Sequence, residues 1–413
     1  MERVGKAQAL RVLVVVGLVV ASVAAMRPSP VGAQQVPGAI PGQYIMTLQA
    51  GVDPFAKADE HARTHSVGLL HVYQFALTGY AAVIPAARLA QVEADPAVIA
   101  VSPDREIYAI QDSQAPGGPP SDPDATETLP TGVDRIDAEG QGPGAPVAVI
   151  DTVIDLDHPD LNVAGGVNCT SGPSYDDGNG HGTHVAGTIG AYANGFGVVG
   201  VAPGTPVYAV RVLNNGGFGT WSSVICGVDW VSGSGITIAN MSLGGGGSDD
   251  GNCGYTDGDA LHQAICTSVN TYGVTYAVAA GNDALDAAGS VPAAYDEVIT
   301  VSALADFDGQ RNAAGAATCR ADEDDSLANF SNYGADVDVA APGVCILSTW
   351  PDGYNTISGT SMASPHVAGA LALGGYGLET DPIDDDGVCG MVDDPDGINE
   401  GILSLGRAVK RCS

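Results

Sequence analysis

Basic side chains are scarce: 15 Lys and Arg stand against 48 Asp and Glu in 413 residues, a formal charge of −33. The chain therefore lacks the basic footprint that nucleic-acid phosphates require. It also lacks the attraction that docks proteins on anionic lipid. Aromatic residues make up only 6%, and the 57 glycines follow no Gly-X-Y period, which excludes collagen. No two of the 8 cysteines have C-x-x-C spacing, which weakens a zinc reading for them. Beyond the N-terminal segment no run of 18 apolar residues occurs, so no membrane-spanning helix is expected there.

What is there can build a core. Hydrophobic residues form 45% of the chain, which excludes wholesale disorder, and the length has room for two or three domains. Charge is unevenly divided. Residues 1–112 hold 8 basic and 9 acidic side chains; residues 113–413 hold 7 and 39, with all 8 cysteines. Segments of such different composition are expected to have different fates.

The chain opens with Arg3, Lys6 and Arg11, then an apolar run over 12–25 and the small residues Val31-Gly32-Ala33. This is the pattern of a secretory signal peptide spanning 1–33. The run is short for an uncleaved bilayer anchor. The expectation is a secreted, extracellular protein with no membrane contact after signal cleavage. An oxidising compartment lets cysteines pair, and the neighbours Cys253–Cys266, Cys319–Cys345 and Cys389–Cys412 are the expected loop-closing bridges.

Residues 34–112 read as a small α+β unit, with strands at 43–49, 70–75, 79–84 and 98–101 and helices at 54–66 and 86–93. The order β-α-β-β-α-β is ferredoxin-like. Residues 113–130, rich in Pro, Gly, Asp and Ser, form a linker by composition. Over 131–413 the pattern changes. Buried-strand runs at 147–150, 207–213, 236–240, 274–279 and 298–301 alternate with helical stretches at 183–192, 220–231, 256–271 and 361–373. Such alternation predicts an α/β domain, a mostly parallel sheet with helices on both faces, whose working residues sit where strands end and helices begin.

Three segments stand at such ends. Val147-Ala148-Val149-Ile150-Asp151-Thr152 finishes a β-branched run with a carboxylate able to orient an imidazole. Gly180-His181-Gly182-Thr183-His184 opens a helix with a histidine between glycines. No carboxylate or cysteine lies at metal-ligand spacing on that helix, so the pair reads as one catalytic and one packed histidine. Gly359-Thr360-Ser361-Met362-Ala363 puts a serine where free helix N–H groups favour developing negative charge. Each alone has an ordinary structural explanation. Together they supply acid, base and nucleophile in the order Asp…His…Ser, and a serine needs a base, and the base an orienting group, to attack a carbonyl. An esterase elbow requires Gly-x-Ser-x-Gly and a different order, and neither is present.

These three blocks, with Asp157-His158-Pro159-Asp160-Leu161 and Gly200-Val201-Ala202-Pro203, resemble the subtilisin-type serine peptidases, the subtilase family. The resemblance covers roughly 131–380 and, more weakly, 43–108. It implies a subtilisin-like fold and a secreted serine endopeptidase working through an acyl-enzyme, with Asp151 orienting His181, His181 as general base and acid, and Ser361 as nucleophile. Asn282, in Ala279-Ala280-Gly281-Asn282, would donate its amide to the oxyanion. Ser242, Leu243 and Gly244, the facing edge Gly217-Phe218-Gly219, and Ala280 and Gly281 would bind an extended polypeptide substrate, with an apolar or aromatic preference at the first site.

The resemblance makes 34–112 an inhibitor-type propeptide. Its tail near Tyr108 to Gln114 would lie in the cleft and block it intramolecularly until the enzyme, a monomer, cuts it. It also implies structural Ca²⁺ on Asp160 and Asn194 with the carbonyls of Tyr192, Phe196 and Val198. The clusters Asp249-Asp250, Asp322-Glu323-Asp324-Asp325 and Asp384-Asp385-Asp386 also offer oxygen, but Asp384-Asp385-Asp386-Gly387 is no EF-hand loop: Pro382 occupies its first ligand position and no Glu its last. The remaining acid reads as a solvated face. One departure stands out. Val153 occupies a position where the family usually has glycine; a β-branched residue there is expected to forbid the unusual backbone angles that glycine allows, to crowd the site and to displace the triad slightly.

Overall fold

The computed structural model describes residues 38–110, 126–172, 174, 176–311, 315–379, 395–397 and 400–406. The signal segment, most of the linker, Cys389, Cys412 and the 384–386 cluster lie outside these.

The N-terminal unit follows the expected order: β1 (Ala39–Leu48), α1 (Pro54–His65), β2 (Gly68–Tyr73), β3 (Gly79–Val83), α2 (Ala86–Glu93) and β4 (Val98–Ala109). Asp53 caps α1 by accepting the Phe55 and Ala56 N–H groups, and Pro54 sits where a helix needs no donor. β1 lies antiparallel between β3 and β4, and β2 pairs with β3. Period-two alternation sends Met46 and Leu48 toward α1 and α2, while Ile45, Tyr73, Ala81 and Ile107 join the core of the larger domain.

That domain runs α3 (Thr131–Arg135), β5 (Val147–Asp151), β6 (Val163–Asn168), α4 (His181–Gly190), β7 (Val207–Arg211), β8 (Phe218–Thr220), α5 (Trp221–Ser234), β9 (Ile238–Met241), β10 (Leu243–Gly246) and α6 (Ala260–Tyr272). It continues β11 (Thr275–Ala279), β12 (Ser290–Val291), β13 (Ile299–Ala305), β14 (Ser326–Leu327), β15 (Val339–Pro342), β16 (Ile346–Trp350), β17 (Gly353–Ile357), α7 (Thr360–Ala372), β18 (Gly377–Glu379) and β19 (Ile402–Ser404). The main sheet has the order β6-β7-β5-β9-β11-β13-β15-β19-β18 and is parallel from β6 to β19. Its two faces are covered as expected. Val147 and Val149 pack into the core that includes α4 and α7; Ala148 and Ile150 pack into the core that includes α5 and α6.

Several boundaries differ from the sequence reading, each for a local reason. The helix expected from 256 starts at Ala260, because Asp259 caps it through the Leu261 and His262 N–H groups. The Asp250 carboxylate holds the preceding loop by the N–H groups of Asn252, Gly254 and Thr256. The short strands β6, β8 and β10 contain glycine and no apolar run. β4 extends past 101 because its second half finds strand partners in the larger domain. Thr126 and Thr128, expected in the linker, already bridge to Phe196 and Val198.

Cys253–Cys266 and Cys319–Cys345 are bonded as expected, and Cys169–Cys226, across 57 residues, is a third bridge. In the 322–325 cluster Glu323 is exposed, but the three aspartates are engaged by protein partners. Asp322, Asp324 and Asp325 are buried: Asp322 pairs with Arg320, Asp325 with Arg135, and Asp324 accepts the Phe307 and Gly315 N–H groups.

Candidate active site

Asp151 ends β5 of the parallel sheet, His181 opens α4, and Ser361 stands in the first turn of α7, which follows the separate antiparallel pair β16–β17. Asp151 and His181 are fully buried. His181 Nδ1 lies 2.8 Å from Asp151 Oδ1 and 3.0 Å from Oδ2. Burial disfavours the imidazolium, yet the adjacent Asp151 charge and hydrogen bond outweigh it and raise the His181 pKa. Its Nε2 is buried with no hydrogen-bond partner. His184 is packed, its Nε2 against the Ile346 and Asn355 carbonyls, and burial pushes it down to about 3, so it stays neutral.

The Ser361 turn is built by a proline. Pro365 has no N–H to give the Ser361 carbonyl, and Ser242 Oγ donates to that carbonyl instead at 2.9 Å. Asn282 follows β11. Its Oδ1 accepts from the Thr360 N–H and hydroxyl, both at 2.9 Å, and its Nδ2 is buried without a partner. Gly281, at φ 116°, gives its N–H to Thr360 Oγ1.

The chain fills this cleft itself. The end of β4 inserts between β8 and β10 as an antiparallel strand, with Tyr108 opposite Phe218 and Gly244, and Ala109 opposite Leu243. The Ala109 N–H donates to the Gly217 carbonyl at 2.9 Å and the Ile110 N–H to the Ser242 carbonyl at 3.2 Å. The Ile110 carbonyl then accepts the Ser361 hydroxyl. Against known families, residues 142–374 match the model described as the subtilase family, and residues 43–109 match peptidase inhibitor I9.

The chain belongs to the subtilase family. It is a serine endopeptidase made as a precursor with an I9 propeptide, and its relatives agree. Subtilisin DY of Bacillus licheniformis is 41% identical over 258 residues, 60% of this chain and 84% of that protein. Subtilisin Savinase of Lederbergia lenta is 41% identical over 257 residues, again 60% and 84%. The alkaline protease of Alkalihalobacillus alcalophilus is 39% identical over 291 residues, 68% of this chain and 64% of that protein.

Of the substrate-binding residues expected for a subtilase, Gly217, Phe218, Gly219, Ser242, Leu243 and Gly244 meet the β4 tail through the pairings above. Gly281 lines the same cleft. Ala280 is buried behind it, its carbonyl taken by Asn332 Nδ2. Val153 adopts φ 131°, a glycine conformation, with its side chain fully buried. The loop after α4 closes on Asp160: Asn194 Nδ2 donates to Oδ1 at 2.8 Å, and the Val198 N–H and Tyr354 hydroxyl to Oδ2, each at 3.2 Å. Burial raises the Asp160 pKa to about 6.

Sequence reasoning missed the residues that brace these groups. Thr360 holds Asn282, and Glu127 accepts the Asn194 and Gly195 N–H groups, both at 2.7 Å. Two carboxylates join the domains: Asp104 of β4 accepts from Ser222 N–H and Oγ at the start of α5, and Asp229 of α5 accepts the N–H groups of the turn after β2. Thr360 lies inside a motif and could have been suspected. No sequence signal links Asp104 to Ser222 across 118 positions.

Proposed function

We infer that the chain is a secreted endopeptidase in which Asp151, His181 and Ser361 act as a triad with Asn282 as oxyanion donor. The observation that carries this reading is the Ile110 carbonyl: it accepts the Ser361 hydroxyl at the end of a strand hydrogen-bonded on both sides, as a substrate's scissile carbonyl must lie. His181 takes the Ser361 proton through Nε2 while Asp151 holds Nδ1–H and stabilises the imidazolium. The Oγ adds to the carbonyl carbon, and the oxyanion is met by Asn282 Nδ2, a donor already buried and unspent. Collapse expels the amine with a proton from His181. A water, deprotonated by His181, then releases the acyl group.

The first bond cut is the chain's own, between Ile110 and Gln111, two residues before the expected end of the propeptide at 112. A Cβ added to Gly244 would stand 2.7 Å from Ile110 Cδ1, so glycine there leaves room for a branched aliphatic side chain at the first subsite. Backbone pairing supplies much of the grip, which favours broad selectivity among protein substrates.

Calcium fits the loop after α4. Asp160 is buried, its carboxylate meets neutral donors there, and among the described residues no hydrogen bond engages the Tyr192, Phe196 or Val198 carbonyls. Asp160, Asn194 and those carbonyls would hold the ion, which supplies countercharge and rigidity.

Mass spectrometry of the expressed protein tests the reading. Wild type is expected to yield a new N-terminus at Gln111 and to hydrolyse casein; Ser361→Ala is expected to stay uncut and inert. Casein hydrolysis undiminished in Ser361→Ala overturns it.

A further inference from the structure

We propose that His262, Asp249 and Asp250 form a binding site for one divalent transition-metal ion, zinc by its donor chemistry, separate from the catalytic groups and from the Asp160 loop. His262 lies in the first turn of α6 with its side chain 1% exposed. Its Nε2 is 2.8 Å from Glu297 Oε2, which fixes the ring proton on that nitrogen. Nδ1 is then a bare lone pair, buried and without a hydrogen-bond partner. It lies 3.8 Å from Asp249 Oδ1 and 3.8 Å from Asp250 Oδ1. A lone pair turned toward two carboxylates is repulsive unless a cation sits among them.

Both carboxylates are held by backbone N–H groups, which fall on the Oδ1 atoms facing His262 as well as on Oδ2. Asp250 is fixed by the loop N–H groups of Asn252, Gly254 and Thr256, and Asp249 by those of Gly251 and Asp296. The Cys253–Cys266 bridge ties this loop to α6. The Tyr295 ring stacks on the imidazole at 4.0 Å and 4°. Imidazole with carboxylate suits zinc; calcium prefers oxygen alone. Tetrahedral zinc with bonds of about 2.0–2.2 Å sets donors about 3.3 Å apart, so each Oδ1 has to approach Nδ1 by about half an ångström and the two carboxylates have to turn toward each other. Asp249, its side chain 17% exposed, leaves the site an opening to solvent for a water ligand.

The competing occupant is a proton on Nδ1, and the experiment separates the two. The full chain, cleared of transition metals in calcium-containing buffer, is titrated with Zn²⁺ by calorimetry and with Co²⁺ by visible absorption. Wild type is expected to bind one Zn²⁺ that His262→Gln does not bind, and Glu297→Gln is expected to bind it about 10–100-fold more weakly. The Co²⁺ complex should have the absorption of a nitrogen-ligated, four-coordinate site. Equal Zn²⁺ uptake by wild type and His262→Gln overturns the proposal, as does a doubly protonated His262 by NMR that Zn²⁺ does not displace. If His262→Gln fails to fold, Asp249→Asn at the solvent edge makes the comparison: unchanged Zn²⁺ affinity overturns the site, and a loss of tenfold or more supports it.

Discussion

The Asp229 carboxylate of α5 receives the Phe75 N–H of the propeptide at 2.6 Å, and takes the neighbouring Gln74 and Ala76 N–H groups as well. One enzyme side chain thereby closes a propeptide turn whose amides have no strand partner. Charge-assisted hydrogen bonds contribute about 1.5–3 kcal/mol net. Asp229→Asn is therefore expected to weaken retention of the cleaved propeptide by about 10–100-fold. The rate at which activity emerges after self-cleavage measures this, and an unchanged rate would remove Asp229 from the clasp.

Asn282→Ala deletes the unspent Nδ2 donor while leaving the strand pairing to β8 and β10. The expected loss is about 10²–10³-fold in kcat with KM little changed, the usual size for one oxyanion donor. A variant that loses KM and keeps kcat would make Asn282 a binding residue only.

The pKa of His181 lies above its ordinary 6.5. The general base must be neutral, so kcat/KM should rise with pH through a midpoint above 6.5. The stability linked to the same group has the opposite sense: it is fully present below the unfolded pKa and is lost as pH rises through the folded one. Asp151→Asn should move the acid limb downward and cut kcat by about 10⁴. A wild-type profile already flat at pH 6 would contradict this.

Val153, at φ 131°, carries backbone strain of about 1–3 kcal/mol. Removing its buried isopropyl group costs about 1.5–3 kcal/mol. The two nearly offset, so Val153→Gly should shift Tm by only a few degrees, where a buried valine in relaxed backbone would lose much more. Calorimetry decides it, and a fall beyond ~10 °C would mean the strain is absent.

Calcium removal should lower Tm by several degrees in wild type, since occupancy at 100 Kd contributes about 2.7 kcal/mol. Asp160→Asn should abolish that calcium dependence, and a chelator effect equal in both proteins would place the ion elsewhere.

Much of this was legible because the catalytic segments are local. Val149-Ile150-Asp151 carries its strand and its carboxylate in consecutive letters, and His181 and Ser361 each open a helix that reads as one. The propeptide elements alternate cleanly enough to give their order and both helices to within a residue, although β1 starts at 39 rather than 43, β2 at 68 rather than 70, and β4 runs on to 109. What escaped was non-local. β8 and β10 hold shape through pairing with β4, not through their own glycine-rich composition, and the Asp104 and Asp229 clasps join positions far apart in sequence. At Val153 the sequence reading is corrected: valine does not forbid the glycine conformation but adopts it, at φ 131° with its side chain buried. Asp322, Asp324 and Asp325 look like any exposed acidic run; their burial rests on separate partners, Arg320, the Phe307 and Gly315 N–H groups, and Arg135, the last 190 positions from Asp325.

The β4 tail plugs two flanks at once, and its departure changes the character of the surface. Bare amides and carbonyls of 217–220 and 242–246 then line both walls of an empty slot that takes any extended chain of modest bulk. Among the nearest such chains in a concentrated solution are loops of sister molecules. On the proposed function, maturation arms the enzyme against its own kind, and the bridges matter most from that moment: the three among the described residues hold stretches of backbone that an unstapled loop would offer as prey.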